Sequence, residues 1–140
     1  MLLVLDTDVV VAAMRSPTGA SAEILRLVRS GRLRMACSVS LFMEYETVCS
    51  RAAHLEAANW TQDDLAVFLN AIASWIEPVK IHYLWRPQLR DPADEMVLEA
   101  AVNAQAYALL TFNTRHFLPA IKQFNVKLLT PSQFLGAHYE

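Results

Sequence analysis

The 140-residue sequence is poor in several things at once, and each shortage removes a class of protein. With three glycines and no Gly- or Ser-rich stretch it has no linker to divide it, and it carries no repeat and no low-complexity segment. Its two cysteines, Cys37 and Cys49, stand apart with no CxxC and no histidine at ligand spacing. That argues against structural zinc and against a disulfide-stapled secreted fold, and leaves two buried apolar thiols. Basic surplus is missing too. Twelve Lys and Arg against fourteen Asp and Glu give a net charge of −2, whereas proteins that wrap duplex nucleic acid through its phosphates carry an excess of positive charge. A nucleic-acid substrate would therefore have to be held locally, by a few basic side chains and metal ions. No apolar run approaches membrane-spanning length, and the one at the N-terminus is short and broken by Asp6 and Asp8. A cytoplasmic protein is expected.

What remains is 54% hydrophobic and 19% charged, enough to build one globular domain over residues 1–140. Leu2–Leu5 is continuously apolar, as in a strand buried on both faces of a parallel sheet. A short helix over Val9–Arg15 follows, and then a helix capped by Ser21 and closed by Gly31. Leu33–Cys37 reads as a second strand, and Ser40 opens a helix to about Arg51. Thr61–Asp64 is a capping signature for a helix burying Leu65, Phe68, Leu69 and Ile72. A third strand is expected over Val79–Leu84. Asp91-Pro92 starts a helix to about Ala104, followed by strands Ala108–Thr111 and Val126–Leu129 and a closing turn Pro131–Leu135. Strands alternating with helices predict an α/β fold, mostly parallel, with helices on both faces.

Carboxylates recur where such a fold builds its sites, beyond the carboxyl ends of the strands. Asp6 and Asp8 follow the first strand, and Asp6 continues the face of Leu2 and Val4. Glu44 lies on the flank of the stripe Leu41, Tyr45 and Val48, where an acid is costly unless it is paired. Asp94 heads the stripe Val97, Leu98 and Ala101, although Asp91 and Asp94 also suit a helix start. Glu95 sits further round. Asn113 follows the fourth strand as a ligand, an orienter of water or a turn residue, with Arg115 two positions on. Oxygen ligands without Cys or His describe a hard cation, Mg²⁺ or Mn²⁺, and phosphodiester hydrolysis is the chemistry that suits them best. Arg15, Arg86, Arg90 and Arg115 are the basic residues near such a site; any could contact a phosphate, but each reads first as solvated surface. Trp60, Trp75, Tyr83 and Trp85 read as core or interface rather than base-stacking platforms.

Leu-Val-Leu-Asp6-Thr-Asp-Val-Val, Ser40-Leu-Phe-Met-Glu44-Tyr-Glu, Asp91-Pro-Ala-Asp94-Glu, Leu-Thr-Phe-Asn113-Thr-Arg-His-Phe117 and the closing Leu-Leu-Thr-Pro131-Ser-Gln-Phe-Leu together resemble the PIN-domain nucleases, and among them the VapC-type toxins of bacterial toxin–antitoxin pairs. The resemblance spans almost the whole chain. It implies a three-layer α/β/α sandwich, Mg²⁺- or Mn²⁺-dependent cleavage of RNA, a homodimer and a cognate antitoxin. It casts Asp6, Glu44 and Asp94 as metal-binding acids, with Asn113 at a fourth position. In two places the sequence departs from the pattern: Asp8 stands where Asn is usual, and Asn113 where Asp is often found. Two other readings compete. A haloacid-dehalogenase-like phosphatase would use Asp6 as nucleophile and Asp8 as general acid, but it also wants a lysine and an acidic pair at a later strand end, where Thr-Phe-Asn stands instead. A non-catalytic PIN-fold binding module would only hold RNA or a protein.

Overall fold

The computed structural model describes residues 1–82 and 89–139. Five parallel strands form the sheet: β1 (Leu2–Leu5), β2 (Arg34–Cys37), β3 (Glu77–Pro78), β4 (Ala108–Leu110) and β5 (Lys127–Leu129). Their order is β3-β2-β1-β4-β5. Leu3, Val4 and Leu5 of β1 and all of β4 are buried, as strands at the centre of a parallel sheet covered by helices should be. The helices are α1 (Thr7–Arg15), α2 (Ala20–Arg29), α3 (Val39–Cys49), α4 (Ala52–Ala58), α5 (Gln62–Trp75), α6 (Pro92–Asn103), α7 (Thr114–Phe117) and α8 (Pro131–His138). The expected α/β sandwich is present.

Local chemistry sets most of the helix ends. Thr61 and Asp64 form a reciprocal capping box on α5, and Thr130 and Gln133 another on α8, which runs on to His138. Asp91 caps α6 through the Ala93 N–H at 2.9 Å, with Pro92 in the first helical position. After α2 the chain turns at Gly31, whose φ of 81° is the left-handed backbone that glycine adopts without strain. Both cysteines are buried free thiols, and Trp60 packs edge-on to Phe68 at 5.0 Å, partly buried against the core.

Several boundaries differ from the sequence reading. Helix α1 starts at Thr7 rather than Val9, because Asp6 is itself the cap. Gly19 precedes α2, and Ser21 lies inside it, buried. Ser38, not Ser40, caps α3 by accepting from the Leu41 N–H at 3.2 Å. Helix α4 was not foreseen. The third strand is Glu77–Pro78, earlier than Val79–Leu84, and among the described residues only Val79 continues the pairing, its N–H donating to the Cys37 carbonyl at 3.1 Å. A proline masks a strand in sequence, yet at the sheet edge its missing N–H removes no ladder bond. Residues 83 and 84 of the expected strand lie outside the described residues, as do Trp85 and Arg86.

A buried polar contact joins α3 to the sheet. Tyr45 is fully buried, and its hydroxyl donates to the Leu5 carbonyl at the end of β1. Tyr45→Phe should keep the packing but leave that carbonyl without this donor, costing about 1–3 kcal/mol. Urea titration should show a lower midpoint with an unchanged m-value; an unchanged midpoint would mean that the bond contributes nothing to stability.

Candidate active site

The strand order reverses direction between β1 and β4: the chain builds β2 and β3 on one side of β1, and β4 and β5 on the other. Above such a switch point the connections diverge and leave a crevice at the carboxyl ends of the strands. Asp6 follows β1 there, and Thr111 and Asn113 follow β4.

Asp6 is 7% exposed and tied on both oxygens. Oδ1 accepts from the Thr7 N–H at 2.7 Å, and Oδ2 from the Thr111 hydroxyl at 2.7 Å. Its own N–H donates to the Leu110 carbonyl at 2.9 Å. Burial raises its pKa above the usual carboxylate range, and the hydrogen bonds from Thr111 and Thr7 only partly offset this. Asp8, in the first turn of α1, points back to the turn after β4. Its Oδ2 accepts from the Phe112 N–H at 3.1 Å and from Asn113 Nδ2 at 3.0 Å, while Oδ1 is buried with no partner among the described residues. Burial, and after it the negative charge of Asp6, pushes the pKa of Asp8 up to about 6.

Asp94 comes from the first turn of α6. Asp91 performs the capping, so Asp94 is free to project into the crevice. Its pKa is raised by burial and by the charges of Asp6 and Asp91, and lowered by His116, whose Nδ1 lies 3.2 Å from its Oδ2. The structure thus gathers Asp6, Asp8, Asp94 and Asn113, with Asp91 and His116 at the rim. Glu44 stands apart in its contacts. It is half-buried on α3 beside Tyr45 and makes no hydrogen bond or ion pair to these groups. Glu95 is buried and accepts from the Leu89 N–H at 2.7 Å, so it faces the 89–91 turn. Arg115 is exposed on α7 and lines, with Arg90, Asp91, Asp94 and His116, a cleft of about 570 Å³. Arg15 is occupied elsewhere, 3.3 Å from His54.

Sequence reasoning missed Thr111 and His116. Thr111 reads as the last residue of an apolar strand, and only its hydroxyl at a strand end hints at more. His116 follows Asn113 by three residues, the spacing that carries a side chain one helical turn on, which is a usable signal beside a carboxylate cluster.

The donor set fits a divalent cation in kind: the available donors are carboxylate oxygens, one of them buried with no partner among the described residues, and the charge of Asp6 bears on both Asp8 and Asp94. Among the described residues no three Asp, Glu, His or Cys side chains are gathered closely enough to hold one ion by themselves. A cation here would be held by a carboxylate pair, with water or substrate oxygens completing its shell, as is common for Mg²⁺.

A sequence model of the PIN domain family matches residues 2–115. Among solved structures, the chain is similar to one in the crystal structure of VapBC2 from Rickettsia felis bound to a DNA fragment from their promoter. The TM-score is 0.56 at 18% identity, over 91% of this chain and 97% of that one. At this identity the likeness is one of fold. No curated protein matches the chain. Among the described residues no helix is long and apolar enough to cross a membrane.

The raised Asp8 carboxyl sets a pH dependence of stability. The native state holds the Asp8 proton more tightly than the unfolded chain does, so this group's contribution falls as pH rises from about 4 to about 6 and stays unfavourable above. In metal-free buffer Asp8→Asn should therefore stabilise the fold at about pH 7.5, by on the order of 1 kcal/mol after allowance for solvent screening. Thermal melts should show the gain shrinking to nothing near about pH 4. If Asp8→Asn instead lowers the melting temperature at every pH, this account is contradicted.

Proposed function

The chain belongs to the PIN domain family, and from that premise we propose that it is a divalent-metal-dependent endoribonuclease, the toxin of a toxin–antitoxin pair. The observation that carries the reading is the carboxylate of Asp6 at the switch point of the sheet, with Asp8 and Asp94 each close enough to feel its negative charge. A fold accepts such a cluster when a cation or substrate relieves it, because buried like charges are otherwise only a cost.

Asp6 and Asp94 are the proposed ligands of Mg²⁺ or Mn²⁺, with Glu44 the third acid that the resemblance suggests. The chemistry such a cation would supply is activation of a water molecule and neutralisation of charge on a phosphoryl group. The protein's own part is to keep these groups in place. Thr111 and the Thr7 N–H fix the rotamer of Asp6 from opposite elements. His116 steadies Asp94, and Asp8 holds Asn113 by its amide so that the turn after β4 keeps its shape. The antitoxin partner, a homodimer and a cytoplasmic setting belong to the same proposal. The Rickettsia felis complex, which is named as a VapBC pair, supports the partner.

Asp6→Asn and Asp94→Asn should each lower Mg²⁺-dependent RNA cleavage at least 100-fold, while circular dichroism shows the fold retained. Equal cleavage by wild type and both variants refutes the enzymatic reading and leaves a binding module. A trappable aspartyl-phosphate, with activity lost on Asp8→Asn, would instead make the protein a phosphatase. Growth arrest on expression, relieved by a small protein encoded immediately upstream, is the outcome expected of a toxin.

A further inference from the structure

The cleft beside Asp94 has walls of opposite sign. Asp91 and Asp94 line it, and so do Arg90 and Arg115. Arg90 immediately precedes the cap of α6, and Arg115 belongs to α7, so the two guanidinium groups come from different elements. Both residues are exposed, and among the described residues neither has an ion-pair or side-chain hydrogen-bond partner, although carboxylates line the same cleft. Guanidinium–carboxylate contacts do close elsewhere in the chain: Arg26 on Glu23 at 2.9 Å and Arg34 on Glu77 at 2.6 Å. Opposite charges that share a cleft without meeting leave space for a third group, and the volume of about 570 Å³ lies within the range of small-ligand clefts, roughly 300–1,000 Å³.

Resting on the ribonuclease reading, we propose that Arg90 and Arg115 form a phosphate subsite that holds the RNA backbone next to the scissile phosphodiester. A strand entering this crevice brings one negative charge per nucleotide toward Asp6, Asp8, Asp91 and Asp94. A cation on the carboxylates offsets that charge only at the scissile position. The neighbouring phosphate needs its own counter-charge, and in a chain of net charge −2 this must be local. Arginine suits the task, since its planar fork meets two phosphate oxygens at once and stays charged at any working pH. Leu118, 46% exposed on the same cleft, gives the ribose or base an apolar surface beside the phosphate. An acidic protein segment is the competing occupant, but it lacks the repeating charge that would place one group on the carboxylate-bound cation and the next on the arginines.

The test separates binding from cleavage. Wild type, Arg90→Gln, Arg115→Gln and the double variant are titrated with a short fluorescein-labelled oligoribonucleotide of mixed sequence in EDTA, at salt from about 50 to 200 mM. Arg32→Gln, exposed in the turn between α2 and β2, is the control for an equal loss of charge. Each subsite substitution should reduce the slope of log K against log salt by about 0.7, and the pair by about 1.4, with the control unchanged. In Mg²⁺ the same variants should show KM raised several-fold and kcat nearly unaltered. Unchanged slopes for both variants, slopes that fall equally in Arg32→Gln, or binding of an acidic peptide but not of RNA would overturn the subsite. If wild type binds RNA with these slopes but never cleaves it, the ribonuclease reading fails and the subsite stands. Cleavage with unchanged slopes is the reverse.

Discussion

One carboxylate holds the architecture together at its working end. Asp6 ends β1, caps α1 through the Thr7 N–H, and takes the Thr111 hydroxyl from the end of β4. Its backbone N–H also extends the pairing of β1 with β4, by donating to Leu110. Strand, helix and neighbouring strand therefore meet on a single side chain, whose position is inherited from the register of the central sheet. A shift of one residue in that pairing would remove the cap and the acid together.

Around this point the structure keeps charges that folding alone would avoid. Desolvation and the negative charge of Asp6 work against Asp8 and Asp94, and one oxygen of Asp8 is buried with no partner among the described residues. The surrounding scaffold compensates: Tyr45 secures the end of β1 from below, and the apolar residues of β1 and β4 hold the strand ends still. Local rules are broken at one place and obeyed nearly everywhere else, which is how functional sites usually stand out from their folds.

The sequence made much of this legible because the relevant signals were strong. Leu2–Leu5 and Ala108–Leu110 are wholly apolar, and the signatures at Thr61 and Asp91 cap the helices they announce. Competing local cues hid the rest. Ser21 and Ser40 looked like caps because serine bonds backbone readily, but the chain used the positions two residues earlier. Pro78 concealed an edge strand. At the site, the spacing identified Asp6 and Asp94 as acids on buried stripes, and the chain's departures from the family pattern at Asp8 and Asn113 prove to be in hydrogen-bond contact, a relation across more than a hundred residues that no local pattern carries. Thr111 and His116 gave only weak signals for a related reason: their importance lies in what they touch, and both of their partners come from other elements.

The two-residue strand β3 ends in proline, and at the opposite edge β5 offers three residues beginning with an exposed Lys127. Neither border gives an incoming strand a long row of free amides and carbonyls to copy. Among the described residues the edges of the sheet thus offer little to strand addition, the route by which exposed edges drive fibrous self-association.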